Sequence, residues 1–167
     1  MSAIASKLKA LQTLLDGKIE GAPCFIAGDR SHCWEILKNR PGTCKIAVGF
    51  DDEKARSNFP GGDRTGRVNQ NYYAVISRGR GLNQVRSDNL IYGSGGGKPL
   101  FELAEILCDG LRSIIFDPVT DEKPDYVSFG NSNWPLDKFG IDAYEVKIWV
   151  GTQRPLLNPL QATTEPV

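Results

Sequence analysis

Ile141-Asp-Ala-Tyr-Glu-Val-Lys-Ile-Trp-Val150 is the stretch whose reading decides the fold. Tyr144, Val146, Ile148 and Val150 fall on one side of an extended chain, with Asp142 as the polar start of that row. Glu145 and Lys147 fall on the other side, beside Ala143 and Trp149. A period of two carried by β-branched and aromatic residues specifies a sheet strand with one face in a core and one in water. No catalytic motif accompanies it, so the sequence speaks of assembly before chemistry.

Moving back from this strand, 131–140 reads as a loop and Asp125–Phe129 as a short strand, with Tyr126 and Ser128 opposite Val127 and Phe129. The run Asp117-Pro118 to Lys123-Pro124 is a turn-rich connector. Before it, Leu100, Leu103, Ala104, Leu107, Leu111, Ile114 and Ile115 form a helical stripe opposite Glu102, Glu105, Asp109 and Arg112. Pro99 suits the first turn of that helix, and its early acids and late arginine suit the dipole. Residues 79–98 show little periodicity, and a loop of that length is functional or ordered on assembly.

Val68–Ser77, centred on Tyr72-Tyr73-Ala74-Val75-Ile76, is apolar on both faces and reads as a central strand. Cys44, Ile46, Val48 and Phe50 alternate with Lys45, Ala47 and Gly49 as its hairpin partner, with 51–66 as the loop between. Asp29 is a cap for a short helix through Leu37, and Ala22–Ala27 an extended entry. Ile4, Leu8, Leu11 and Leu15 mark an amphipathic N-terminal helix with Ser2 as N-cap and Gly17 as stop. The order predicts an α+β domain over 1–151, a mostly antiparallel sheet of four to five strands with helices packed on it. A proline-containing tail over 152–167 follows.

The chain has 167 residues, with 20 basic and 20 acidic side chains, so no global field draws it to nucleic acid or membrane. The N-terminal apolar residues are periodic rather than continuous, which fits neither a secretory leader nor a spanning helix. Cys24, Cys33, Cys44 and Cys108 form no C-x-x-C pair and read as free thiols in a reducing cytosol.

Four constellations bear on chemistry. Gly93-Ser-Gly-Gly-Gly-Lys-Pro99 falls one residue short of a phosphate loop, and Pro99 stands where Ser or Thr must hold magnesium, so a linker is expected. His32 with Cys24, Cys33 and Cys44 lacks the tight ligand pairs of structural zinc, and no cofactor or metal is expected. No nucleophile motif selects a thiol to act with His32, so no catalytic residue is assigned. The distinctive charge feature is the run holding Arg64, Arg67, Arg78, Arg80 and Arg86 without an acid between them. Tyr72 and Tyr73 lie inside it but point to opposite sides of one strand, which spoils a stacking platform for nucleic acid. A subunit-contacting edge is the expected use, since arginine is enriched at interfaces.

Tyr73-Ala-Val-Ile-Ser-Arg-Gly-Arg-Gly81, Pro99-Leu-Phe-Glu-Leu-Ala-Glu105, Pro124-Asp-Tyr126 and Ile141-Asp-Ala-Tyr-Glu-Val146 together resemble the bacteriophage tail terminator family. The likeness spans about residues 40–151 by element order; 22–39 and 152–167 match nothing in it. The resemblance implies a non-enzymatic virion protein of the tail and neck, assembled in the host cytoplasm. It implies a homo-oligomeric ring, hexameric, that caps the tail tube, ends tube polymerisation and joins the head connector, with DNA passing through the lumen. The expected interface residues are Arg64, Arg67, Arg78, Arg80 and Arg86, with Asp88 in the following loop, pairing with a neighbour's acids such as Asp88, Asp142 or Glu145. Another neck component, a head-closure or connector protein, is the near alternative. A nucleic-acid-binding module using the Arg64–Arg86 face is the more distant one.

Overall fold

The computed structural model describes residues 2–38, 44–55, 66–81, 83–93, 97–131 and 137–153. The C-terminal strand, β5 (Ile141–Gln153), lies between β3 (Arg67–Gly79) and β4 (Tyr126–Asn131). With β1 (Cys24–Ile26) and β2 (Lys45–Ala55) they form one sheet in the order β1-β2-β3-β5-β4. Only β1–β2 is parallel; the other pairings are antiparallel. The protein is therefore α+β with a mixed, mostly antiparallel sheet.

Strand β3 is central, as its two apolar faces predict. Tyr72, Ala74 and Ile76 enter one core together with Ile46, Val48, Val146 and Ile148. That core is roofed by helices α1 (Ala3–Leu15) and α3 (Leu100–Arg112) through Leu11, Leu15, Leu103, Leu107 and Leu111. Each such side chain, fully buried, stabilises the fold by about 1.5–3 kcal/mol before entropy is counted. Tyr73 and Val75 enter a second, smaller core under helix α2 (Arg30–Lys38), with Cys33, Leu37, Ala47, Ile141 and Ala143. The second face of β5 is thus dry at Ile141 and Ala143 and wet only farther on, at Lys147 and Trp149.

The caps behave as their chemistry requires. Ser2 Oγ accepts from the Ala5 N–H at 3.0 Å, and Asp29 Oδ1 from the His32 N–H at 2.7 Å. Gly17, at φ +70°, follows the last residue of α1 and its cap.

Several expectations need correction. Strand β2 runs to Ala55, across Asp51–Lys54, because Asp52, Glu53 and Lys54 pair with Asn71, Gln70 and Asn69 after a register shift at Phe50/Asp52. A charged run reads as loop only until a partner strand takes up its backbone. Within 79–98, Asp88–Tyr92 forms a short π-helical turn. Pro99 is the N-cap of α3, one residue before its first turn. Strand β5 continues to Gln153; the rest of the expected tail, 154–167, lies outside the described residues.

Candidate functional site

The arginine run folds inward on an acid. Arg78 lies directly across the β3–β5 ladder from Asp142, and the Arg80 N–H extends that ladder to the Gly140 carbonyl at 2.7 Å. Asp142 is buried and takes Arg80 on both oxygens, at 3.0 and 3.3 Å, and Arg86 Nε at 3.2 Å. Arg78 is 7% exposed; its Nε donates to Asn89 Oδ1 at 2.7 Å and its Nη2 to the Asn89 carbonyl at 3.1 Å. Asn89, buried on the π-helical turn, returns its amide to Asp142 Oδ2 and to the Arg78 carbonyl, each at 3.0 Å. Glu20 closes the far side, accepting from Arg78 Nη1 at 3.5 Å and from the Lys98 N–H at 2.6 Å. The knot pins both ends of the 80–98 segment to the sheet.

The predicted interface residues therefore do not share one exposed edge. Arg78 and Arg80 are engaged within the subunit, and Arg86 reaches the same internal acid from a more exposed position. Asp88 accepts from the Val85 N–H at 3.1 Å, a local turn contact. Arg67 is exposed at the start of β3, and Arg64 lies outside the described residues. Asp142 and Glu145, expected to meet a neighbour's arginines, hold Arg80 and Arg30 of their own chain. The run looked unopposed because its counter-charge lies 62 positions beyond Arg80, delivered by strand register.

A second ionic group lies on the open half of the other sheet face. Arg30, opening α2, grips both oxygens of Asp51 and one of Glu145. Its guanidinium sits 4.4 Å above the ring of Tyr73. Hydrogen bonding to Asp51 raises the Arg30 pKa above its ordinary value, against the lowering effect of burial. Burial raises that of Tyr73. The ring of Tyr73 fills the space where a side chain on its cross-strand partner Gly49 would stand: a Cβ there would lie 2.3 Å from it. Beside Arg30, an open cleft of about 430 Å³ runs past Asn71 and Lys147 to Trp149. Trp149 stacks at 5.2 Å on Tyr126 of the edge strand.

The two sheet edges differ. In β1, the Pro23 carbonyl and the Ala27 N–H turn toward β2, so the polar groups of Cys24 between them face outward. Both are satisfied from α1 and its end: the Cys24 N–H donates to Asp16 Oδ1 and its carbonyl accepts from Gln12 Nε2, each at 2.9 Å. At the other edge β4 reads Tyr-Val-Ser-Phe-Gly-Asn, with no charged residue and no proline. Among the described residues no side chain bonds to its outer backbone.

Cys33 lies on the opposite face of the sheet from Cys24 and Cys108. Burial pushes Cys24 and Cys33 up to about 12 and Cys44 up to about 11, far from a thiolate at neutral pH. His32 Nδ1 accepts from the Gly28 N–H at 2.9 Å. Among the described residues no three metal-ligating side chains converge. No family model matches this chain, and no curated protein matches it in sequence.

Proposed function

We propose that the protein is a structural assembly component, a phage tail terminator whose copies close into a hexameric ring on the last layer of the tail tube. In this reading it halts tube growth, presents a surface to the head connector, and lets DNA pass through the lumen. The observation that carries the proposal is a three-stranded ribbon that, among the described residues, outruns both flanking strands. Beyond Trp149 strand β4 no longer flanks β5, and beyond Val48 strand β1 no longer flanks β2. Asp52–Ala55, Arg67–Gln70 and Val150–Gln153 nevertheless keep pairing. Among the described residues, none of the ribbon past Val150 joins either core.

A ribbon with little apolar burial contributes weakly to a lone subunit, because ordering each residue costs about 1–2 kcal/mol of backbone entropy. A neighbour packed on it supplies the missing burial, and a head-to-tail contact repeated around an axis closes a ring. Arg67, exposed at the ribbon's end, is the expected interface cation. Charge reversal at Arg78 or Arg80 would test the fold instead, since both are tied to internal partners.

Native mass spectrometry of the purified protein, alone and mixed with tail tube protein, decides the matter. The expected species is a hexamer, favoured by tube protein and lost in Arg67→Glu with an unchanged circular dichroism spectrum. Monomer under all these conditions sinks the proposal.

A further inference from the structure

We infer that β4 is a homotypic docking edge: two copies join β4 to β4′ in antiparallel register about a two-fold axis at Ser128. The occupant follows from three features. First, at the opposite edge Asp16 and Gln12 already satisfy the outward backbone groups of Cys24, the first residue of a three-residue strand. A joining copy therefore finds a longer row of free backbone groups along the six residues of β4. Second, Tyr126–Asn131 lacks the usual guards of an edge, such as lysine, proline or an inward charge. Tyr126 and Phe129 are 52% and 40% exposed, one on each side of the strand.

Third, the strand is complementary to itself. Residues directly opposite in an antiparallel pair point to the same side of the sheet, so a two-fold axis normal to it passes through a residue. With the axis at Ser128, Val127 meets the second copy's Phe129 on the side of the larger core. Tyr126 meets that copy's Gly130 on the other side, an aromatic ring laid over a glycine. Ser128 meets its own counterpart. No like charges oppose, and Gly130 has open space above it, with nothing within 4 Å of a Cβ placed there. The resulting sheet runs unbroken through ten strands, twice the five of one subunit.

This contact does not rest on the ring. A ring uses two different patches head to tail, whereas this one uses the same patch twice, and so pairs subunits or stacks two rings back to back.

The test is a cross-link with a charge control. Directly opposite residues have Cα atoms about 4.5–5.5 Å apart, within disulfide reach. Ser128→Cys in a glutathione buffer is expected to yield a covalent dimer, which the wild type and Ser113→Cys, at the end of α3, do not give. Ser128→Glu faces Lys147 across its own sheet, which keeps the subunit folded, but opposes its copy with a like charge. It is expected to weaken dimer formation several-fold in sedimentation velocity, with circular dichroism unchanged. Three results overturn the inference: a wild type that stays monomeric at every concentration, a dimer indifferent to Ser128→Glu, or a Ser128→Cys variant that cross-links to tube protein rather than to itself. A hexamer without the cross-link ends this contact and leaves the ring standing; a cross-link without a hexamer does the reverse.

Discussion

The protein contains two arginine–carboxylate groups built from the same parts and put to different use. Around Asp142, Arg78, Arg80 and Asn89 sit against the sheet with little water, while Arg86 reaches in from a half-exposed position, and together they fasten the 80–98 segment. Around Arg30, two carboxylates meet in the open and form a lid over Tyr73. The difference teaches that solvent, rather than charge count, sets what an ion pair contributes.

The comparison breaks most visibly at Asp142. Asp142→Ala leaves Arg80 and Arg86 without their acid and the Asn89 amide without an acceptor, and is expected to cost about 3–5 kcal/mol in urea unfolding. Hydrogen exchange should rise first in the segment that Asn89 and Arg86 tie down. A loss below about 1 kcal/mol would show the knot to be hydrated and equivalent to the other. Next in size is Gly49→Ala, which drives Tyr73 out from under Arg30 and should cost about 1–3 kcal/mol by the same measurement. Arg30→Met should cost about 1 kcal/mol or less, and high salt should shrink the difference from wild type. If Arg30→Met matched Asp142→Ala, the distinction between the two groups would disappear.

A pH series sharpens the same contrast. The thiols of Cys24 and Cys33 carry raised pKa values in the folded protein, from 9.0 to about 12. Unfolding frees them to ionise, so their contribution is fully present below about pH 9 and is lost as pH rises from about 9 to 12. Denaturant midpoints should be flat near neutrality and fall across that window, and Cys33→Ser should reduce the slope. The smallest expected effect is Arg67→Glu on monomer stability, within about 0.5 kcal/mol because the side chain is exposed.

The alternation in 141–150 and the doubly apolar run 72–76 made the strands, the central position of β3 and the fold class legible. Those patterns are local, and local periodicity is what burial on a sheet imposes. The arginine knot was not legible. Its acid arrives through a ladder in which Arg78 faces Asp142 and Arg80 follows, and no short-range spacing encodes that register. The extension of β2 through Asp51–Lys54 was hidden for a related reason: its partners, Asn69 to Asn71, give a polar strand the look of a loop. The π-helical turn at Asp88–Tyr92 has no sequence period of its own and exists because Asn89 is drawn under Arg78. The one signal that pointed to the knot was Asp142 itself, a carboxylate heading the inward row of an apolar strand.

Asp16 and Gln12, at the end of the first helix, set the valency of the molecule. With the Cys24 backbone plugged, the contact inferred above uses one sheet edge per subunit, and through that edge alone joining stops at a pair. Replacing Asp16 and Gln12 by alanine would free the Cys24 backbone groups while leaving Leu11 and Leu15 in the core, and a building block with two joining rims grows without limit into fibres. Two polar side chains thus separate a closed pair from an open chain of edge contacts.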